Sequence, residues 1–426
     1  MISMLVEKEK VFFYSYMFMA VLALTFLNKL AVLLLPLFYI VTYIVSSNRN
    51  GYEKSVALFF TLMIFISPVW VYEGGYWLNW FVSIVLFGSF LIVMSQAPVI
   101  PEEKLIRILR FCIALMMVNG VVGVIQYGLY RYDDAFIGFY GRAGLQGHGL
   151  AIIYAVFSAF LMYDNPCFSR KVSVSVALFF LLCFLLCFYG SGLAYLTLSL
   201  CGVGAIKASL KQKIIIVLLV PLVIVLVGAI SPKTLAYNLN IVFLFADSLS
   251  GYFEGFIFSD MPRRLVFILE YFNLAVNDFT FFIFGNGPGT LNSRTSFLLN
   301  GDYSSLSILP ISIHPLAAEY VFPLWGTDIL SQGYSDGSMN QPFSSFFALL
   351  GEYGAILTIA YFWVLWRAFM ELKTKIPEEV RVFYLFFIGL LFMFENIIEY
   401  PEVLFSFVLI VQYHKSIDVN KAASES

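Results

Sequence analysis

Long apolar blocks separated by short polar runs dominate the chain. They fall at 11–27, 30–46, 55–72, 77–95, 105–130, 149–163, 172–189, 191–206, 214–230, 343–366, 381–395 and 402–413. A helix needs about 20 predominantly apolar residues to cross a bilayer. The pattern therefore predicts an all-α polytopic membrane protein of about twelve transmembrane helices. Glu395, Glu399 and Glu402 interrupt the last two blocks around Pro401, so these two also read as one broken helix pair. Residues 231–342 depart from the pattern, being polar, aromatic and irregular. A connection of that length inside a compact protein is usually functional. The expected organisation is a membrane domain at 1–230 with nine spans, a large loop at 231–342, and a membrane domain at 343–426 with three spans and a tail.

Composition sharpens this picture. With 61% hydrophobic and 12% charged residues, the chain could not cover a water-facing surface with polar groups, which excludes soluble enzymes and nucleic-acid binders. A net charge of −2 gives no global basic field for nucleic acid. Cys112, Cys167, Cys183, Cys187 and Cys201 lie in or beside apolar blocks and are expected to be small buried hydrophobes. Cys183 and Cys187 share a helix face, but no His or carboxylate accompanies them as a metal ligand. The first apolar run lacks a small-residue cleavage site and is expected to be a retained span.

Lysine and arginine orient the spans, because cytoplasmic loops carry their excess. With the N-terminus in the cytoplasm, 18 of the 25 fall inside and 7 outside, and both termini are cytoplasmic. Four of those seven lie in 231–342 and two in 131–148, where acidic residues also gather. This places the long loop on the outer face.

Three stretches there carry candidate chemistry. Residues 263–285 predict an amphipathic helix lying on the membrane face or on the other spans, with Leu265, Ile268, Leu269, Phe272 and Val276 as its apolar stripe. Gly285, Gly287, Pro288 and Gly289 follow as a tight turn whose N–H groups could cradle an anion or form a ligand-facing wall, without the Gly-Lys-Ser/Thr of a nucleotide loop. The remainder, through His314, Trp325 and Gln341, mixes aromatic faces with amides and carboxylates, as sugar binding requires. Before the sixth span, FYGRAGLQGHGLA (139–151) sets Arg142 and His148 among glycines. Arg142 reads either as a structural partner of Asp133 or Asp134 or as a bidentate phosphate grip.

GRAGLQGHGLA before one span and YGSGLAYL (189–196) opening a later one resemble the bacterial O-antigen polymerase and O-antigen ligase superfamily. So do the loop that begins with arginine, the FGNGPG turn, and PFSSFFALLGEYGAIL (342–357) entering the next span. The match covers 139–200 and 260–357; the first five spans match only in hydropathy. The family's Ser-Arg position reads Ser191-Gly192 here, and its ligase-type His-Asn position falls on Phe343-Ser344, which favours polymerase over ligase.

The resemblance implies a glycosyltransferase in the cell inner (cytoplasmic) membrane. It would join undecaprenyl-diphosphate-linked oligosaccharide repeat units into O-antigen or capsule polysaccharide at the outer face. Arg142 and Arg263 or Arg264 would hold the diphosphate against the charge that grows as the glycosidic bond breaks. His148, then His314 and Glu352, are candidates to accept or orient the acceptor hydroxyl. Each has a plainer alternative, such as capping a helix or pairing an arginine. No acidic pair has metal spacing, and neither cofactor nor metal is expected. Expected partners are the lipid-linked oligosaccharides, the bilayer, and a flippase and chain-length regulator of the same pathway. A ligase of the superfamily and a twelve-span secondary transporter are the competing readings; no internal repeat favours the latter.

The charge count makes topology testable. An export-dependent reporter fused after Asn300 should be active, and cytoplasmic activity at that position would overturn the orientation.

Overall fold

A computed structural model describes residues 2–45, 53–71, 76–130, 136–140, 146–163, 166–207, 263–298, 314–325, 344–374 and 376–425. Arg142, Asp133, Asp134, Gln341, Phe343 and the ninth predicted span, 214–230, lie outside the described residues, as does most of the loop 231–342. The other eleven apolar blocks are all helical. In chain order the helices are α1 (Ile2–Leu24), α2 (Asn28–Val45), α3 (Glu53–Val71), α4 (Trp77–Ser95), α5 (Glu102–Tyr130), α6 (Gln146–Tyr163), α7 (Arg170–Leu186) and α8 (Gly190–Lys207). From the loop come α9 (Arg263–Asn277), α10 (Phe279–Phe284) and α11 (Arg294–Leu298), and then α12 (Ser345–Glu371), α13 (Glu378–Phe394) and α14 (Pro401–Glu425). No strand occurs among the described residues.

Four helices, Asn28–Val45, Trp77–Ser95, Glu102–Tyr130 and Ser345–Glu371, are long and apolar enough to cross a membrane. Shorter apolar stretches run at Lys54–Trp70, Gly147–Tyr163 and Gly190–Val203. Helices suit such sequences because they satisfy every backbone group internally where no water is at hand. The bundle's outward surface is apolar. Phe65 is 77% exposed, Ile44 71% and Ile359 69%, the reverse of a water-soluble surface and suited to lipid.

The last helix is the core. Every residue from Pro401 to Ser416 is buried, and α14 packs against α1, α2, α4, α5 and α6. A helix apolar on all sides is stable only when enclosed. The two final blocks are separate helices, and 395–400 forms the irregular link between them.

Neighbouring helix ends identify one end of the bundle. Asn28, opening α2, donates to the Tyr140 carbonyl (2.8 Å), Trp70, closing α3, donates to that of Phe284 (2.8 Å), and Asn79, opening α4, donates to that of Gly289 (2.9 Å). At the opposite end Lys415 meets Glu371 (3.4 Å) and donates to the Met94 carbonyl (2.7 Å), while Lys104 pairs with Glu9 (2.9 Å).

Three expectations need correction. The predicted helix at 263–285 is two helices, because the Asp278 carboxylate accepts the Thr280 and Phe281 amides (2.8 and 3.0 Å) and so starts α10 afresh. The inward face of α9 is also rotated from the expected stripe. Arg264, Leu265, Val266, Phe267 and Tyr271 are buried, while Phe272 (54%) and Val276 (83%) face outward. Among the cysteines, Cys201 is exposed and the other four are buried.

Helix α12 is broken at Gly354 (φ 72°, ψ 173°), a backbone region open essentially to glycine alone. The break turns the Gly351 and Glu352 carbonyls toward the loop, where they accept the Asn286 (2.8 Å) and Gly287 (2.9 Å) amides. Gly285 lies against the kink, and a Cβ there would stand 2.5 Å from the Gly354 nitrogen. Gly354→Ala should cost about 1–3 kcal/mol from backbone strain alone, with added collision against the Ile283 carbonyl. Gly389→Ala, in α13 with open space around it, is the control. Thermal unfolding in detergent should separate the two variants by several degrees; equal melting would mean that the kink does not anchor the loop.

Candidate functional site

The same end of the bundle gathers the candidate residues. Its foundation is the segment 285–296, which crosses the mouth of the bundle and must find partners for its buried amides. Glu352, fully buried about two turns into α12, supplies them. One carboxylate oxygen accepts the Gly289 amide (2.6 Å), and the other accepts Leu291 (2.9 Å) and Ser293 (3.0 Å). The glycine-rich turn does cradle an anion, and that anion is the protein's own carboxylate. Gly287 (φ 106°) and Gly289 (φ 74°) adopt conformations that L side chains rarely do, and a Cβ on Gly289 would stand 2.5 Å from the Asn79 carbonyl. Pro288, between them, is buried and has no amide to satisfy.

A second carboxylate repeats the arrangement. Glu399, on the link between α13 and α14, accepts the Arg294 amide, the Thr295 amide (3.2 Å) and the Thr295 hydroxyl (3.1 Å). Burial pushes the Glu399 carboxyl above the usual carboxylate range, and the Arg294 and Thr295 donors oppose that rise. The Arg294 guanidinium is itself enclosed. It donates to the Glu399 carbonyl (2.9 Å), reaches Glu402 (3.4 Å), and lies 3.7 Å from the centre of the Tyr400 ring.

The link is tied to α12 as well. Ser344 caps that helix by accepting the Phe347 amide (3.4 Å) and donates to the Met393 carbonyl (2.6 Å). The Ser345 amide donates to the Glu395 carbonyl (2.9 Å), and the Ile398 amide to the Ser345 hydroxyl (3.0 Å). The position resembling the ligase His-Asn pair is thus occupied, at Ser344, by a helix cap.

Beside this foundation lies a different cluster, built from side chains. Glu395 receives both amino groups of Arg264 (3.3 and 3.4 Å), the Ser191 hydroxyl (3.3 Å) and the Tyr195 hydroxyl (3.5 Å). Tyr189 lies close enough to Glu395 to feel its charge. His148 stacks on Tyr189 with ring centroids 4.6 Å apart. Arg264 is 3% exposed and Glu395 15%. His148 and Arg264, far apart in sequence, therefore border one cluster.

The other candidates are placed elsewhere. Arg263 donates to the Leu324 carbonyl (2.7 Å), tying α9 to the 3-10 turn Phe322–Trp325. His314 is buried, and its Nδ1 takes the Leu316 amide (3.2 Å) and the Asn286 side-chain amide (2.8 Å), which leaves Nε2 as the protonated nitrogen. Its ring lies 5.2 Å from that of Tyr76. Among the described residues no three His, Cys, Asp or Glu side chains converge to hold a metal ion.

Glu395, Glu399 and Arg294 stand in the sequence only as a break in hydropathy and as a charge to count. Their signal was present: ionisable residues inside an apolar stretch are functional candidates by default, with a partner to be sought. Comparison of the chain with protein-family models, with curated proteins and with solved structures returns no match.

Glu352→Gln tests the foundation. The amide keeps the shape but turns a donor toward amides that need an acceptor, so about 2–4 kcal/mol of stability should be lost. Thermal unfolding should drop accordingly, and protease cleavage within 285–296 should appear. Unchanged melting and cleavage would show that the three amides do not depend on this carboxylate.

Proposed function

We propose that the chain is a membrane glycan polymerase that joins lipid-diphosphate-linked oligosaccharide units at the outer face of the cytoplasmic membrane. The observation that carries this reading is the convergence of Arg264, Glu395, Tyr189, Tyr195 and His148 at the loop-bearing end of an apolar bundle. Together they offer a cation for a diphosphate, a proton acceptor for a hydroxyl and aromatic faces for sugar rings.

The reaction needs little more. The acceptor hydroxyl attacks the anomeric carbon of the donor, the bond from that carbon to the diphosphate oxygen breaks, and its electrons leave with the diphosphate. Arg264 neutralises the charge that grows there, with Arg142 as a second grip from the segment before α6. The hydroxyl proton passes to a base in the same cluster. Glu352, engaged with three amides, serves by holding the loop. Arg263 serves by holding α9 to the following turn. The departures at Ser191-Gly192 and Phe343-Ser344 support a polymerase over a ligase.

A deletion strain should accumulate lipid-linked repeats and carry single-repeat caps on its surface. Arg264→Ala should reproduce that phenotype at normal protein level, with polymer reduced roughly 100-fold or more. Arg264→Lys should restore only part, because a point charge cannot grip two oxygens in a plane. Complete loss of surface glycan in the deletion strain would point to a flippase or ligase and end the polymerase reading.

A further inference from the structure

Four acidic side chains crowd this end of the bundle, and they are held in three distinct ways. Glu352 and Glu399 accept backbone amides, are fully buried, and support the segment 285–296. Glu402 faces the enclosed Arg294 guanidinium. Glu395 is different. Its carboxylate meets the side chains of Arg264, Ser191 and Tyr195 at 3.3–3.5 Å, and it is the most exposed of the four. Among the described residues its carboxylate is held by side chains, not by the backbone amides that engage Glu352 and Glu399. Its backbone, by contrast, is fixed, since the Glu395 carbonyl accepts the Ser345 amide and its own amide bonds Leu391 (2.7 Å). The side chain can therefore change partners while its attachment stays still.

We infer that Arg264 and Glu395 form an exchangeable pair: the donor diphosphate replaces Glu395 on the guanidinium, and the released carboxylate becomes the base for the acceptor hydroxyl. This rests on the polymerase reading and adds an order of events to it. While Arg264 holds Glu395, the carboxylate's charge is engaged and the base is masked. Once the diphosphate binds, an unpaired carboxylate stands beside the anomeric carbon with Tyr189, Tyr195 and Ser191 around it. As the hydroxyl oxygen bonds to that carbon and the diphosphate departs, its proton moves to Glu395. The carboxyl then gives that proton to water, and the carboxylate returns to Arg264 when the lipid diphosphate leaves. His148, its ring flat against Tyr189, positions the tyrosine rather than taking the proton.

The exchange predicts a gain of affinity from removing a charge. Apparent affinity falls in proportion to the fraction of molecules ready to bind, and Glu395 keeps wild-type protein out of that fraction. In full-length protein in nanodiscs, Glu395→Gln should bind radiolabelled undecaprenyl diphosphate about 3- to 10-fold more tightly. In membranes supplied with lipid-linked repeats it should form polymer about 10²–10⁴-fold more slowly. Arg264→Ala should bind poorly, and Glu395→Gln added to it should give no further gain, because the two act as one unit. His148→Gln should lose less rate than Glu395→Gln.

A misfolded protein cannot gain affinity; should Glu395→Gln not accumulate, Glu395→Asp, too short to span the pair, carries the same expectation. Weaker or unchanged binding in Glu395→Gln overturns the exchange. Near-normal polymer in that variant, or a larger loss in His148→Gln, overturns the assignment of the base. Tightened binding in a protein whose wild type makes no polymer leaves the exchange standing and overturns the polymerase reading instead.

Discussion

A buried carboxylate in a broken helix, Glu352, is the interaction on which the rest of this end of the molecule depends. An apolar bundle offers few partners to a polar loop that crosses its mouth, and each amide buried without one costs several kcal/mol. Glu352 answers three of them and Glu399 two more, while the Gly354 break in α12 supplies two carbonyls. Gly285 and Gly354 let the loop and α12 backbones approach closely enough for these bonds to form, and Gly289 lets the loop lie against the Asn79 carbonyl of α4. Removing either side leaves charges or amides buried without partners, so the fold of the loop and that of the helix are one event.

Once that segment is set, the neighbouring elements have little freedom. Arg294 extends from it to the Glu399 carbonyl and Glu402, which fixes the link between α13 and α14. The link also bonds Ser344 and Ser345 at the start of α12, and it leads into α14 at the centre of the bundle. Glu395 comes last in this chain of constraints, its backbone held and its carboxylate turned to Arg264. The arrangement separates support from chemistry. Backbone donors hold Glu352 and Glu399, which carry the architecture, whereas side chains hold Glu395, which is partly open to water.

Much of the architecture was legible in the chain. Hydropathy located eleven helical segments, because a long apolar block has no alternative to a helix where water is scarce, although α1 starts nine residues before its block and α14 runs twelve past its own. The Gly-Asn-Gly-Pro-Gly run announced a tight turn, since only glycine enters the conformations found at 287 and 289 without strain. The apolar block beginning at 149 set His148 just before a helix, whereas α6 starts at Gln146 and holds His148 in its first turn.

Partner choice was not legible, because it is decided by which helix ends meet in space. Periodicity in 263–285 showed an apolar stripe but not that Asp278 would accept two amides and divide the helix, nor which face α12 would cover. The same turn that could cradle a ligand's anion found Glu352, some sixty residues away, already in place. Two adjacent arginines of identical chemistry went to different fates, Arg263 to a backbone carbonyl and Arg264 to Glu395, because successive residues on a helix point about 100° apart. The sequence by itself determined an apolar helical protein with a polar, glycine-punctuated loop. Tertiary structure alone decided which charges are locked into that loop's support and which pair faces the open cluster, since burial and the supply of backbone donors are properties of the packed molecule.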